Sequence, residues 1–263
     1  MHLDVLELRQ FYYRTGLGAT AQKALQEAVR GLWPQTRGMT VAGFGFASPL
    51  LRPCLGDARR VLSLMPAQQG VMHWPPGEAN LSALVEETAW PISAGTIDRL
   101  IVAHGLETCE RPGALLDEIW RVMAPSARVV FIVPNRAGVW ARRDITPFGY
   151  GRPYSFGQID KMARRHRFVP ERHSAALYMP PSRRNFLLKT APLWERLGRR
   201  FRPRMLAGAL ILEASKQIYA RPPSGSKVGA RGPLGVLEGL TRPRPEPATG
   251  RGRASRGAAV GDD

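Results

Sequence analysis

Val41-Ala42-Gly43-Phe44-Gly45-Phe46-Ala47 is an apolar strand running into a Gly-x-Gly turn. A glycine pair just past a buried strand lets the backbone turn sharply and approach a ligand closely, because neither residue carries a Cβ. In outline this is a nucleotide-type binding loop. An ordinary strand-to-helix turn uses the same letters, so the flanking chain has to decide between them.

Working outward, Asp4 to Tyr13 and Ala19 to Trp33 carry apolar residues at helical spacing, so two helices precede the strand Met39 to Phe44. After the glycines come a short run at Leu50 to Leu55 and a second strand, Arg60 to Met65. Pro66 to Gly77 reads as loop, with a third strand near Leu81 to Val85. Arg99 to Ala103 is a continuous apolar run of the kind buried in a parallel sheet, the fourth strand. Arg111-Pro112-Gly113 opens a helix whose apolar face is Leu115, Leu116, Ile119, Trp120 and Met123, and Pro125 marks its stop. A fifth strand, Ala127 to Val133, ends at Pro134-Asn135. Strands alternating with helices predict an α/β fold with a Rossmann-like, doubly wound, mostly parallel sheet, its ligand at the carboxyl ends of the strands.

The chain has 263 residues, 44% of them hydrophobic, enough for one well-buried domain with appendages. No stretch approaches the roughly 20 apolar residues of a membrane span, and the first residues lack the pattern of a secretory signal, so the expected location is the cytoplasm. Cys54 and Cys109 lack metal-site spacing and read as small core residues; no metal site is visible. The net charge is +17 and its location is informative: residues 1–135 hold 12 basic and 12 acidic residues, whereas 136–204 hold 17 basic and 4 acidic. A field of that sign favours anionic partners, with nucleic acid, acidic lipid headgroups and phosphorylated or carboxylated small molecules all admissible.

Four segments resemble class I S-adenosylmethionine-dependent methyltransferases of the type 11 kind. Trp90-Pro91-Ile92 is similar to the family's Leu-Pro-Phe-like turn, and Thr96-Ile97-Asp98 to its Ser-Phe-Asp before the fourth strand. Arg121-Val122-Met123-Ala124-Pro125-Ser126-Ala127 resembles the helix end Arg-Val-Leu-Lys-Pro-Gly-Gly. Gly149-Tyr150-Gly151-Arg152-Pro153-Tyr154-Ser155 is similar to the family's lead into its next helix, which here runs to Phe168. The resemblance covers about residues 39–180.

It implies an S-adenosyl-L-methionine cofactor. Gly43, Phe44, Gly45 and Ala47 would then form the loop around the methionine part, with Ala47 in place of a third glycine. The resemblance also implies that Glu86, or in the other register Glu87, accepts from the adenine amino group. One departure stands out. Where such enzymes place a carboxylate for the ribose hydroxyls, this chain has Met65, and no Asp or Glu lies between Asp57 and Glu78. Gln68, Gln69 or backbone groups would have to compensate, since unpaired buried hydroxyls cost about 1 to 3 kcal/mol.

Topology aims His104 and Glu107, just past the fourth strand, and Asn135, at the tip of the fifth, at the cleft. His104 and Asn135 are the catalytic candidates, and His104 also counts as cofactor-facing because it can donate and accept near neutral pH. Beyond the resemblance, 180–204 is a basic stretch with interleaved apolar residues, suited to an amphipathic helix, an acceptor-binding lid, or a membrane-surface or RNA contact. Leu206 to Tyr219 reads as a last strand, and 221–263, rich in Pro, Gly, Arg and Ser, as a disordered basic tail. The expected division is therefore helices at 1–38, a methyltransferase-like domain at 39–220, and the tail. Two functions remain open at this level: methyl transfer to an anionic or aromatic small-molecule acceptor, or a catalytically inactive methyltransferase-like protein whose basic lobe binds nucleic acid or a protein partner.

Overall fold

In a computed structural model, residues 3–182, 184–201 and 206–217 are described; the expected disordered tail lies outside them. Two helices come first, α1 (Val5–Arg14) and α2 (Gly16–Leu32), each started by a side chain that satisfies a free backbone N–H, Asp4 for α1 and Thr15 for α2. The strands and helices that follow are β1 (Thr40–Gly45), the single-turn α3 (Ser48–Leu51), β2 (Arg60–Pro66), β3 (Ser82–Val85) and β4 (Ile97–Ala103). Then come α4 (Pro112–Val122), β5 (Met123–Pro134), α5 (Phe156–Arg165), β6 (Phe168–Ala176), α6 (Asn185–Phe201) and β7 (Ala209–Lys216).

These strands form one sheet in the order β3-β2-β1-β4-β5-β7-β6. From β3 to β5 every pair is parallel, and β7 inserts antiparallel between β5 and β6. The alternation expected from sequence is thus present. Alternate residues of each strand face opposite sides, so β4 sends Ile101 and Ala103 to the face covered by α1, α2 and α3, and Leu100 and Val102 to the face covered by α4 and α5. Both faces are dry, which is why β1 and β4 read as unbroken apolar runs.

Strand β6 has no counterpart in the sequence reading. Its middle, Glu171-Arg172-His173, is exposed and Pro170 interrupts it, so neither alternation nor an apolar run announces it. It forms because β7 offers an unpaired edge, and Arg172 fixes the join: its guanidinium donates to Glu213 Oε2 at 2.5 Å and to the Leu32 carbonyl at 2.7 Å. Glu213, fully buried on β7, also accepts from Trp33 Nε1 (2.8 Å) and Arg128 Nη1 (3.2 Å). One carboxylate therefore ties α2, β5, β6 and β7 together.

Candidate active site

Strand order reverses direction between β1 and β4, and an open α/β sheet presents a crevice at the carboxyl ends of that pair. Gly45 is the last residue of β1, not part of a turn beyond it, and it adopts φ +80°. A Cβ there would lie 2.3 Å from the Ala103 carbonyl oxygen, so this glycine is required by the close approach of β4. At Gly43 a Cβ would meet Ala47 Cβ at 2.6 Å and Leu51 Cδ1 at 2.9 Å. Each glycine thus clears space for the protein's own chain. Phe44 points to the opposite face and stacks on Trp90, and Ala47 is buried against α3.

The crevice itself is occupied by α1. Val5 N–H donates to the Gln69 carbonyl at 2.8 Å, which anchors the helix to the turn after β2, and Leu8, Phe11 and Tyr12 are buried beneath it. The Tyr12 ring stacks on Phe46, with centroids 5.7 Å apart and planes 19° from parallel. Its hydroxyl lies 2.7 Å from His104 Nε2. Burial pushes the Tyr12 pKa well up, and the nearby Glu107 adds to the shift, so the phenol keeps its proton; the His104 tautomer sets which of the two atoms donates.

His104 follows β4 in the left-handed region, φ +52°, a conformation a non-glycine residue holds only when its surroundings enforce it. Its carbonyl accepts from Gln69 Nε2, Phe148 packs on its ring with centroids 4.7 Å apart, and Nδ1 is 3.2 Å from Glu107 Oε1. That last contact is too poorly aligned to be a hydrogen bond, so His104 Nδ1 and both Glu107 oxygens are buried without hydrogen-bond partners. A Tyr12–His104–Glu107 chain of polar groups is therefore buried at the switch point, with unused donor and acceptor capacity at its Glu107 end.

Other sequence candidates separate. Met65 is buried at the end of β2, where its sulfur accepts from Met72 N–H at 3.4 Å. Glu86 is exposed beyond β3, whereas Glu87 is buried, accepts from Cys109 Sγ at 3.3 Å and helps burial raise that thiol to about 12. Asn135 Nδ2 donates to the Ala207 carbonyl at 2.7 Å and its Oδ1 accepts from Ala137 N–H, closing the β5–β7 junction. Sequence reasoning missed Tyr12, Phe46 and Phe148 as crevice residues, because each reads as an ordinary apolar core position.

Behind Glu107 the basic half of the chain forms a cavity of about 490 Å³ between the amino end of α4 and the side of α5. Arg136, Arg152, Lys161, Arg165 and His166 line it, and no Asp or Glu does. Its wall is joined to the buried pair, since Arg152 N–H donates to the Glu107 carbonyl at 2.9 Å. Among the described residues no group of three or more His, Cys, Asp or Glu could hold a metal ion, and no helix is long and apolar enough to cross a membrane.

No protein-family model matches the chain, and no curated protein matches its sequence. Solved structures match its fold. A methyltransferase from Archaeoglobus fulgidus, dependent on S-adenosylmethionine, superposes with a TM-score of 0.55 at 14% identity, over 81% of this chain and 100% of that one. A second such methyltransferase, from Thermotoga maritima, gives 0.54 at 12% identity, over 81% and 96%. The [4+2]-cyclase SpnF gives 0.52 at 17% identity, over 74% and 80%. The chain has the class I S-adenosylmethionine-dependent methyltransferase fold. The cyclase shows that this fold also carries other chemistry, so activity has to be argued from the site.

The residues around the crevice suit that cofactor in one respect. Glu107, buried with two free acceptor oxygens, matches the ammonium and hydroxyl donors that S-adenosylmethionine carries. Met65 supplies no ribose carboxylate, and Tyr12 and Phe46 are buried in the crevice.

Proposed function

We propose that this protein is an S-adenosylmethionine-dependent methyltransferase acting on a small acceptor that carries an anionic group. The observation that carries this reading is the buried His104–Glu107 pair, with unsatisfied polar atoms at the switch point of a methyltransferase fold. Bound cofactor would supply an already electrophilic methyl group, so the chain need only orient the acceptor and keep water out. His104 and Glu107 would hold the polar groups of the cofactor, with His104 placed to take a proton where the acceptor has one to lose. Tyr12, Phe46 and Phe148 would exclude water once α1 closes. The basic cavity supports an anionic acceptor, since Arg136, Arg152, Lys161 and Arg165 line it without an acidic residue among them.

Calorimetry of the full chain with S-adenosylmethionine and S-adenosylhomocysteine tests the proposal. Micromolar to sub-millimolar binding that is lost in Glu107→Gln is the expected result. No binding at millimolar cofactor, in the wild type and in a Tyr12→Ala variant that opens the crevice, overturns it. The filled crevice and Met65 would then favour the second reading, a methyltransferase-like protein that binds nucleic acid or a protein partner through its basic lobe.

A further inference from the structure

Helix α6 packs on the body and still exposes a second apolar stripe. The side docked on the body carries Leu187 and Leu188, partly buried against the core, beside small and polar residues. Ala191 is buried, and Glu195 is buried with its carboxylate accepting from Tyr178 N–H at 2.7 Å. Gly198 lies so close to the Tyr178 ring that an added Cβ would fall 2.1 Å from it. These positions are spaced i, i+4, i+7, one face of a helix. Five other large apolar side chains point outward. Phe186 is 75% exposed, Leu193 56%, Leu197 43% and Phe201 72%, again at helical spacing, and Trp194, 41% exposed, lies beside them. Lys189, Arg196 and Arg200 are exposed along one flank of that stripe, while the acidic residue of the helix, Glu195, faces inward.

Scattered exposed apolar residues need no explanation, but five large ones in a single stripe do. We propose that α6 is a membrane-surface helix, which lays the Phe186–Leu193–Leu197–Phe201 stripe into the headgroup region of a bilayer bearing anionic lipids. Charge selects this occupant. A second copy of the chain would bring the same flank of cations against its own, whereas anionic headgroups complement Lys189, Arg196 and Arg200. The helix has 17 residues and charged groups along its length, so it lies on the surface without crossing it. This inference does not depend on the activity proposed above.

The test is flotation of the full chain with phosphatidylcholine vesicles, with and without about 30% phosphatidylglycerol. The wild type is expected to float with the anionic vesicles and to bind neutral ones at least about tenfold more weakly. Phe186→Ser combined with Phe201→Ser keeps every charge of the protein and alters two side chains that support no core. Its melting temperature should match the wild type, and its partitioning onto anionic vesicles should fall by at least about tenfold. Lys189→Glu with Arg200→Glu should abolish the preference for anionic lipid. Failure of the wild type to float overturns the proposal, as does flotation that the two serines leave unchanged. A dimer seen by sedimentation without lipid, and dispersed by the same serines, assigns the stripe to a second copy and overturns it as well.

Discussion

Replacing Tyr12 by Phe tests whether α1 gates the crevice, because the Tyr12 hydroxyl holds α1 to His104. The change keeps the ring on Phe46 and removes only the hydroxyl that lies 2.7 Å from His104 Nε2. His104 is 1% exposed, so water does not replace the lost bond and a buried nitrogen is left unpaired, at a cost of about 1–3 kcal/mol. For a domain of this size each kcal/mol lowers the melting temperature by about 2–4 °C, so a fall of roughly 2–12 °C is expected. If the cofactor enters only when α1 lifts, the same energy is removed from the cost of lifting. Affinity then rises by up to about 5- to 150-fold, with opposite sign to the loss of stability. Paired thermal melts and calorimetry with S-adenosylhomocysteine read both quantities on one protein. Leu6→Ala, at a position 62% exposed on the outer side of α1, should move neither. A Tyr12→Phe protein that melts earlier but binds with unchanged or weaker affinity would refute the idea that α1 gates the crevice.

Gly45→Ala combines a φ of +80° with a Cβ placed 2.3 Å from a backbone oxygen, so it should destabilise the fold by at least about 2–4 kcal/mol, visible in a thermal melt without any ligand. Burial opposes ionisation of Glu213, but the hydrogen bonds from Arg172, Trp33 and Arg128 outweigh it and hold its pKa below the usual carboxylate range. A carboxyl with a depressed folded pKa adds stability that is present above its unfolded value of about 4.3 and lost as the pH falls through the folded one. Denaturant melts of Glu213→Gln should therefore lose about 3 kcal/mol at pH 7, and the gap to the wild type should narrow below about pH 4. The lower end of the usual range applies because Arg172 and Arg128, 44% and 39% exposed, can rehydrate. Cys109, raised to about 12 by burial and Glu87, and the buried Cys54, also raised, should not react with a thiol reagent at pH 8 until the protein is denatured.

Local pattern carried most of the architecture. The unbroken apolar runs at β1 and β4 and the facial periodicity of α4 have causes that act within a few residues, and both mark a parallel sheet covered on two sides. Strand β6 escaped that logic because its pairing is supplied by β7 and by Arg172, not by its own composition. At the site, His104 and Glu107 were legible as polar residues just past a buried strand. Asn135 occupies the equivalent place after β5, yet its amide is used by the backbone of residues 137 and 207, a partnership no spacing rule exposes. The glycine pair was legible as glycines needing room, while what claims that room was not.

By itself, then, the sequence determined the α/β alternation, the position of the switch point and the concentration of positive charge after residue 135, because strand burial, helix periodicity and charge are written locally. Only the tertiary structure decided what fills the crevice. Tyr12 and His104 are 92 residues apart, and their contact exists because α1 crosses the carboxyl ends of the sheet. Such long-range packing also determined which side of α6 faces out: Glu195 and Gly198 lie against Tyr178 and Leu187 and Leu188 against the core, leaving Phe186, Leu193, Leu197 and Phe201 on the solvent side.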